Sequence, residues 1–386
     1  MRALRKKRAF PPAAKLLPRL GIFQTPTGFH GGIDPDELNR LGLDAGKILD
    51  FSVNINPFGP APGVAAVLAN VPLDRYPDPE AGILRRALAA QLNVSPGKIL
   101  AGNGVSELIW LVALTFLGPG SRVMIVGPTY SEYARASSLM EASVTTVLAR
   151  PDDDFMVRPD QFLHTLRRFR PRVVFLCNPN NPTGAFLNPE QIAVWARKFP
   201  GTLFVVDEAY WGFIPELCSR SAFGGDFLNA KSKQGLDNFL VLRSMTKDLG
   251  LAGLRLGYAI GSAEVIGWLS RARPPWSVNA LAQAAGVEAL RYAACYQDSL
   301  KMLLQAKADL VRGLTNLGCK PVPSAVPFFL LPVGNGAAFR HSLLQKNILV
   351  RDGASFGLPQ HVRIGTRRPE DNARLLAVLG EVAHAG

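Results

Sequence analysis

Cysteine is scarce in this chain. Four stand among 386 residues, at positions 177, 218, 295 and 319. They are too widely separated for a Cys-x-x-Cys metal clip or a disulfide framework, which points to a reducing, cytoplasmic setting and to no bound metal. Long apolar runs are also missing. The longest, Leu108 to Leu117 with Thr115 inside it, is about half of the roughly 20 residues that cross a bilayer, so no membrane span is expected. There is no internal repeat, no low-complexity tract and no Gly-x-Gly-x-x-Gly string, and the last of these absences leaves a dinucleotide site without support. Acidic residues are missing from the start: none precedes Asp34, while Arg2, Arg5, Lys6, Lys7, Arg8, Lys15 and Arg19 crowd the first twenty positions. Such an arm suits nucleic acid or an organelle-targeting peptide. Prolines at 11, 12, 18 and 26 break any long amphipathic helix, so a loosely packed extension is the expectation.

What is present is an ordinary globular composition, with 48% apolar and 19% charged residues. At roughly 150 residues per domain, the length predicts two or three domains with a large core. Lys and Arg number 43 against 30 Asp and Glu, a formal net charge of +13 that favours anionic, phosphate-bearing ligands.

From about residue 98, short β-branched apolar runs alternate with helix-length segments. Candidate strands are Arg122 to Val126, Val144 to Leu148, Val173 to Cys177, Leu203 to Val206, Phe239 to Leu242 and Leu256 to Ile260. Most are apolar throughout, as strands buried on both faces should be. Helical patterns at Ser106 to Leu117, Glu132 to Met140, Pro159 to Phe169 and Pro189 to Phe199 separate several of them. The alternation predicts an α/β domain with a mostly parallel sheet. Beyond Pro275, a long helical stretch to about Leu317, short strands near 328–331, 348–350 and 362–364, and a closing helix from Glu370 predict a smaller α+β domain.

Ligand-binding loops of such sheets lie past the carboxyl ends of the strands. Those positions hold Asn178-Pro179-Asn180-Asn181-Pro182-Thr183-Gly184, then Asp207-Glu208-Ala209-Tyr210, then Arg243-Ser244-Met245-Thr246-Lys247, followed by Gly253-Leu254-Arg255. Ahead of them come Gly102-Asn103-Gly104-Val105-Ser106 and Gly127-Pro128-Thr129-Tyr130. Each fragment alone reads as a turn or a surface group; their order carries the signal. Together, over nearly the whole chain after His30, they resemble the pyridoxal-phosphate enzymes of fold type I, the aspartate-aminotransferase superfamily. That resemblance implies a large α/β domain with a mostly parallel seven-stranded sheet plus a small α+β domain. It divides the chain into a basic extension (1–29), an N-terminal segment contributing to the small domain and active site (30–70), the large cofactor-binding domain (71–275), and a linking helix with the C-terminal small domain (276–386).

The resemblance implies further that pyridoxal 5'-phosphate is the cofactor and that Lys247 is its covalent anchor, which requires an amine able to lose its proton near neutral pH. Asp207 would keep the ring nitrogen protonated, Tyr210 and Asn181 would bond the ring oxygen, and Tyr130 would stack on the ring. Gly104, Val105, Ser106, Ser244 and Arg255 would hold the cofactor phosphate at a helix start. Tyr76 would reach the cofactor phosphate of a neighbouring subunit, implying a homodimer with shared sites.

Within the superfamily, His30-Gly31-Gly32, the string Phe51-Ser52-Val53-Asn54-Ile55-Asn56-Pro57 and Trp276-Ser277-Val278-Asn279 resemble the L-threonine-O-3-phosphate decarboxylases of cobalamin synthesis. Arg75-Tyr76-Pro77-Asp78 is shared with histidinol-phosphate aminotransferases. The expectation is therefore a decarboxylase making (R)-1-amino-2-propanol O-2-phosphate, with histidinol-phosphate aminotransferase as the alternative. By that resemblance His30, Asn54 and Arg351 would bind the substrate phosphate and Arg363 its carboxylate, Arg suiting both anions through its fork of donors. The two reactions differ only in which bond of the amine-bearing carbon stands perpendicular to the conjugated plane, and both substrates are phosphorylated. A third reading, a transferase-like fold without catalysis that binds nucleic acid through its charge, is opposed by the presence of Lys247, Asp207, Asn181 and Arg255 together. The partners expected are thus a phosphorylated amino-acid substrate and a second copy of the chain, with neither nucleic acid nor membrane.

Overall fold

A computed structural model describes residues 31–214 and 236–384. The basic arm, His30 and Cys218 lie outside the described residues.

In chain order the strands are β1 (Leu49–Asp50), β2 (Ile99–Gly102), β3 (Arg122–Gly127), β4 (Ser143–Leu148), β5 (Val173–Cys177) and β6 (Leu203–Asp207). Then follow β7 (Phe239–Ser244), β8 (Gly257–Gly261), β9 (Phe328–Pro332), β10 (Ile348–Leu349), β11 (Arg351–Asp352) and β12 (His361–Gly365). Seven of these form one sheet in the order β2-β8-β7-β6-β5-β3-β4. All of its pairings are parallel except those of β8, which runs against both neighbours. The fold is the fold type I architecture, and six of the sheet's strands fall within a residue or two of where apolar runs place them.

The seventh strand, Ile99–Gly102, is not evident from the sequence. Half of it is the Ala-Gly pair that reads as part of a turn, yet all four of its residues are buried against β8.

Helices cover both faces, which is why the inner strands β5, β6 and β7 are apolar and buried over most of their length. In β5, Val173, Phe175 and Cys177 face one core with Leu108 and Val112 of the helix Gly104–Phe116. Val174 and Leu176 face the other, with Phe162, Ile192 and Trp195. There Phe162 and Trp195 stack at 4.2 Å between ring centroids. Each such buried side chain stabilises the fold by roughly 1.5–3 kcal/mol.

A three-stranded antiparallel sheet, β11-β12-β9, and the parallel pair of β1 with β10 make up the smaller part. Its core joins Phe51, Phe329 and Ile364 to Leu310 and Leu314 of the long helix Ala293–Asn316 and to Leu375 of the closing helix Pro369–His384. Phe51 thus ties the N-terminal segment to the C-terminal one. Among the described residues no helix is long and apolar enough to cross a membrane.

The carboxyl ends of β6 and β7 are clamped by a buried ion pair. Glu208, fully shielded, accepts from Arg243 Nε at 2.6 Å, and the guanidinium lies over the Trp211 ring at 5.0 Å. Removing one partner of such a pair leaves a charge in a poor solvent, so Glu208→Ala should lower unfolding free energy by about 3–5 kcal/mol. Urea titration checks this; a loss below about 1 kcal/mol would mean the pair does not brace the two strand ends.

Candidate active site

Because β5, β6 and β7 are adjacent and parallel, the loops that follow them meet at one edge of the sheet. The antiparallel β8 begins at that same edge, so Arg255, two residues before it, arrives there as well. A cavity of about 100 Å³ opens at this point, and Val105, Ser106, Tyr130, Asn181, Asp207, Tyr210, Ser244, Lys247 and Arg255 all line it. It shares Ser106, Tyr130, Asn181, Tyr210, Lys247 and Arg255 with a second cavity of about 420 Å³. Arg351 and Arg363 line that outer space.

Lys247 is pinned through its backbone: its carbonyl accepts from Asn56 N at 2.9 Å, and Asn56 Nδ2 also donates to Asp248 O at 3.0 Å and Ser299 Oγ at 2.9 Å. Burial, with Arg363 and Arg255 nearby, brings the Lys247 amine down to about 8, against the opposing pull of Asp207. An amine in that range is roughly one-tenth to one-fifth neutral near physiological pH, far more than an ordinary lysine, and can act as nucleophile or base.

Asp207 Oδ2 accepts from Tyr133 OH at 2.6 Å and Oδ1 from Ala209 N at 2.9 Å. Burial pushes its carboxyl up to about 6 in spite of both bonds. Neither donor is charged, so a cationic ring nitrogen is the kind of group this carboxylate lacks. Tyr210 OH accepts from Asn54 Nδ2 at 3.4 Å and its ring meets Phe328 edge-on at 4.8 Å. Tyr130 is steadied by Ser106, hydroxyl to hydroxyl at 3.2 Å.

The anion cradle differs from expectation in where its helix starts. The helix runs from Gly104 rather than Ser106, so Gly104, Val105 and Ser106 form its first turn, whose N–H groups have no intrahelical acceptor. Gly104 has φ +76°, and a Cβ there would come within 2.8 Å of Arg255 Nη2. A Cβ on Gly257 would stand 2.9 Å from Val105 N. Both glycines let backbone and guanidinium close around a small anion, while Ser244 Oγ lies 2.6 Å from Thr246 Oγ1 on the same wall. Lysine, buried acid, ring-facing tyrosine and anion cradle together fit pyridoxal phosphate.

Arg363, buried, donates to Asn181 Oδ1 and to Ser52 O. Arg351 sits directly opposite it across the β11–β12 register and is equally buried, donating to Ser355 Oγ at 2.5 Å. Two buried guanidiniums facing one another are unfavourable unless an anion comes between or beside them. Burial lowers both, Arg363 to about 10.

Tyr76 does not join the cavity. It is 82% exposed and stacks on Trp276 at 4.7 Å. Asn54 lies beside Tyr210, one layer behind the cavity wall, and His30 is outside the described residues. Tyr133, Cys177 and Thr246 line the cavity without having been singled out from sequence. Tyr133 carried a readable signal, since it stands three residues after Tyr130, in the first turn of the helix Glu132–Leu139.

Residues 46–379 match the family model for aminotransferases of class I and II. The chain is 35% identical over 369 residues to histidinol-phosphate aminotransferase 1 of Thiobacillus denitrificans, covering 92% of this chain and 91% of that one. Histidinol-phosphate aminotransferases from seven further organisms match at 30–36% identity. Among solved structures, the histidinol-phosphate aminotransferase of Sinorhizobium meliloti in complex with pyridoxal-5'-phosphate superimposes with a TM-score of 0.82 at 24% identity, over 97% of this chain and 99% of that one. L-threonine-O-3-phosphate decarboxylase of Porphyromonas gingivalis gives 0.73 at 28% identity, over 86% and 99%.

These relatives overturn the expectation of a threonine-phosphate decarboxylase, and the structure explains why its strings misled. Asn56 braces the Lys247 turn, Asn54 supports Tyr210, Trp276 stacks on Tyr76, and Asn279 caps the helix Ala280–Ala289 through a 2.8 Å bond from Ala282 N. These side chains hold scaffold that both reactions need, so they do not discriminate between them.

Proposed function

The chain belongs to the aminotransferase class I and II family, and from that premise we propose that it transfers an amino group between L-histidinol phosphate and a 2-oxo dicarboxylic acid. Its cofactor is pyridoxal 5'-phosphate. The observation that carries the reading is the facing pair Arg351 and Arg363 in the cavity that opens on Lys247. An aminotransferase receives two substrates in turn at one site. Histidinol phosphate carries its phosphate one methylene from the amine-bearing carbon, and 2-oxoglutarate carries one carboxylate on the reacting carbon and a second two methylenes away, so two arginines serve the anions of both substrates.

When bound, pyridoxal phosphate accepts the amino group at its aldehyde carbon and draws electrons from the neighbouring C–H bond into its ring. Everything else falls to the chain. Val105, Ser106, Ser244 and Arg255, with Gly104 giving room, would hold the cofactor phosphate; Tyr130 would cover the ring, Asn181 and Tyr210 would bond the ring oxygen, and Asp207 would meet the ring nitrogen. Lys247 Nζ would anchor the cofactor and, once freed by the incoming amine, would take the proton from the amine-bearing carbon. Arg363 would hold the carboxylate of the oxo acid and Arg351 the substrate phosphate, with His30 assigned to the same end by resemblance alone, while Asn54, behind the wall, acts through Tyr210.

The exposed Tyr76 belongs, in this reading, to the cofactor phosphate site of a second copy, making the protein a homodimer. The unpaired thiols Cys177, Cys295 and Cys319 support a cytoplasmic setting. Neither nucleic acid nor membrane has a part in it.

Purified protein given histidinol phosphate and 2-oxoglutarate should form glutamate in equal amount to the histidinol phosphate consumed. Glutamate formation from other amino donors, with histidinol phosphate untouched, would refute the substrate assignment.

A further inference from the structure

We propose that Tyr133 is a positioning residue whose phenol proton, given to Asp207 Oδ2, keeps that carboxylate charged and aimed at the cofactor's ring nitrogen. The inference rests on Asp207 facing that nitrogen, as proposed above, and is independent of which amine is the substrate.

Tyr133 lies on the helix Glu132–Leu139 and is wholly buried. Its ring is held on two sides, stacked on Phe175 at 5.1 Å and 13° and meeting Tyr130 edge-on at 5.8 Å and 80°. Phe175 sits on β5, whose last residue, Cys177, pairs with Asp207 in the adjacent strand. The packing that fixes the phenol and the strand that carries the carboxylate are therefore neighbours in one sheet, and the 2.6 Å bond between them has little freedom to lengthen. The same ring supports Tyr130, so one side chain orients two cofactor-facing groups.

The direction of the bond is settled by the chemistry of its ends. Burial and the adjacent Asp207 charge drive the Tyr133 hydroxyl well above its ordinary value, so the phenol keeps its proton and can only donate to the carboxylate. Desolvation already works against the charged form of Asp207, and the short Tyr133 bond is the strongest of the contacts that oppose it. Without that donor the carboxylate becomes the stronger base. The proton on the ring nitrogen then crosses to an Asp207 oxygen, leaving a neutral acid beside a neutral pyridine, with the total charge of the pair unchanged. A neutral ring draws electrons from the reacting carbon less strongly.

Tyr133→Phe keeps the ring and removes only the donor. With cofactor labelled with ¹⁵N at the ring nitrogen, the holoenzyme's ¹⁵N resonance should move toward the unprotonated position in Tyr133→Phe and in Asp207→Asn. In the apoprotein, Asp207 should titrate about one to two pH units higher in Tyr133→Phe, the equivalent of one hydrogen bond to a charged group. Turnover should fall about tenfold with KM nearly unchanged. A resonance that moves in Asp207→Asn but not in Tyr133→Phe would overturn the role given to Tyr133. One that stays put in Asp207→Asn would overturn the placement of Asp207, and this inference with it.

Discussion

Lys247→Ala is expected to lower turnover by at least about 10⁴-fold, the largest effect of any single change in this chain. Two contributions combine. Proton transfer by a positioned base accounts for roughly 10²- to 10⁴-fold on its own, and in the proposed reaction the same nitrogen is also the covalent anchor that delivers the cofactor in its reactive form. The surroundings of Lys247 are arranged for both tasks: burial and the charges of Arg363 and Arg255 bring its amine to about 8, while Asn56 fixes its backbone through a 2.9 Å bond. Truncation should leave the fold intact, because a lysine whose charged form is disfavoured by its pocket contributes little to stability there. The variant should therefore retain the thermal transition of the parent, and borohydride should no longer fix pyridoxyl on the protein. Normal borohydride labelling in Lys247→Ala would show that another lysine is the anchor, and the assignment of the site would fail with it.

How far the chain could be read in advance depends on whether the signal is local. The β5, β6 and β7 runs are continuous and β-branched because helices bury both their faces, and their following loops carry Asn181, Asp207 and Lys247 in the open. The cofactor and fold class follow from that order. Ile99–Gly102 was hidden because a four-residue strand ending in glycine looks like the turn it leads into. Glu208 was passed over because one residue along a strand end reverses the side: Asp207 faces the cavity while Glu208 turns to Arg243. Register was equally invisible. Arg351 and Arg363 are twelve positions apart, and only the antiparallel pairing of β11 with β12 sets them opposite each other.

The choice of reaction was the least legible part, for a physical reason. Residues such as Asn54, Asn56 and Asn279 form their hydrogen bonds to backbone, to Tyr210 and to a helix end. Matching such strings identifies a common scaffold. In the proposed reading, substrate choice lies in the outer cavity, where Arg351 and Arg363 arrive from elements that the sequence does not show as neighbours.

Arg363→Leu is the test of that charge arrangement, and kcat/KM for the oxo acid should fall about 10²- to 10³-fold. Losing a buried guanidinium that holds a carboxylate by two donors costs of the order of 2–5 kcal/mol. The same change has a second consequence, because after burial Arg363 is the next largest influence holding the Lys247 amine down. Removing a neighbouring positive charge favours the protonated amine, so its pKa rises from about 8 toward the ordinary lysine value. At any pH below the new value a smaller fraction is neutral, and the rate at which the apoprotein captures pyridoxal phosphate should peak at more alkaline pH than in the parent. Arg363→Lys separates the two effects. It keeps a positive charge beside Lys247, so the capture profile should stay near that of the parent, yet it cannot present the fork of donors, so kcat/KM should remain low. Arg363 also donates to Asn181 and to Ser52 O, and leaving those acceptors bare should cost about 1–3 kcal/mol of stability, measurable by urea titration. If Arg363→Leu lowered stability alone, with oxo-acid kinetics and the capture profile unchanged, Arg363 would be a brace for Asn181 and the anion site would have to be sought at Arg351.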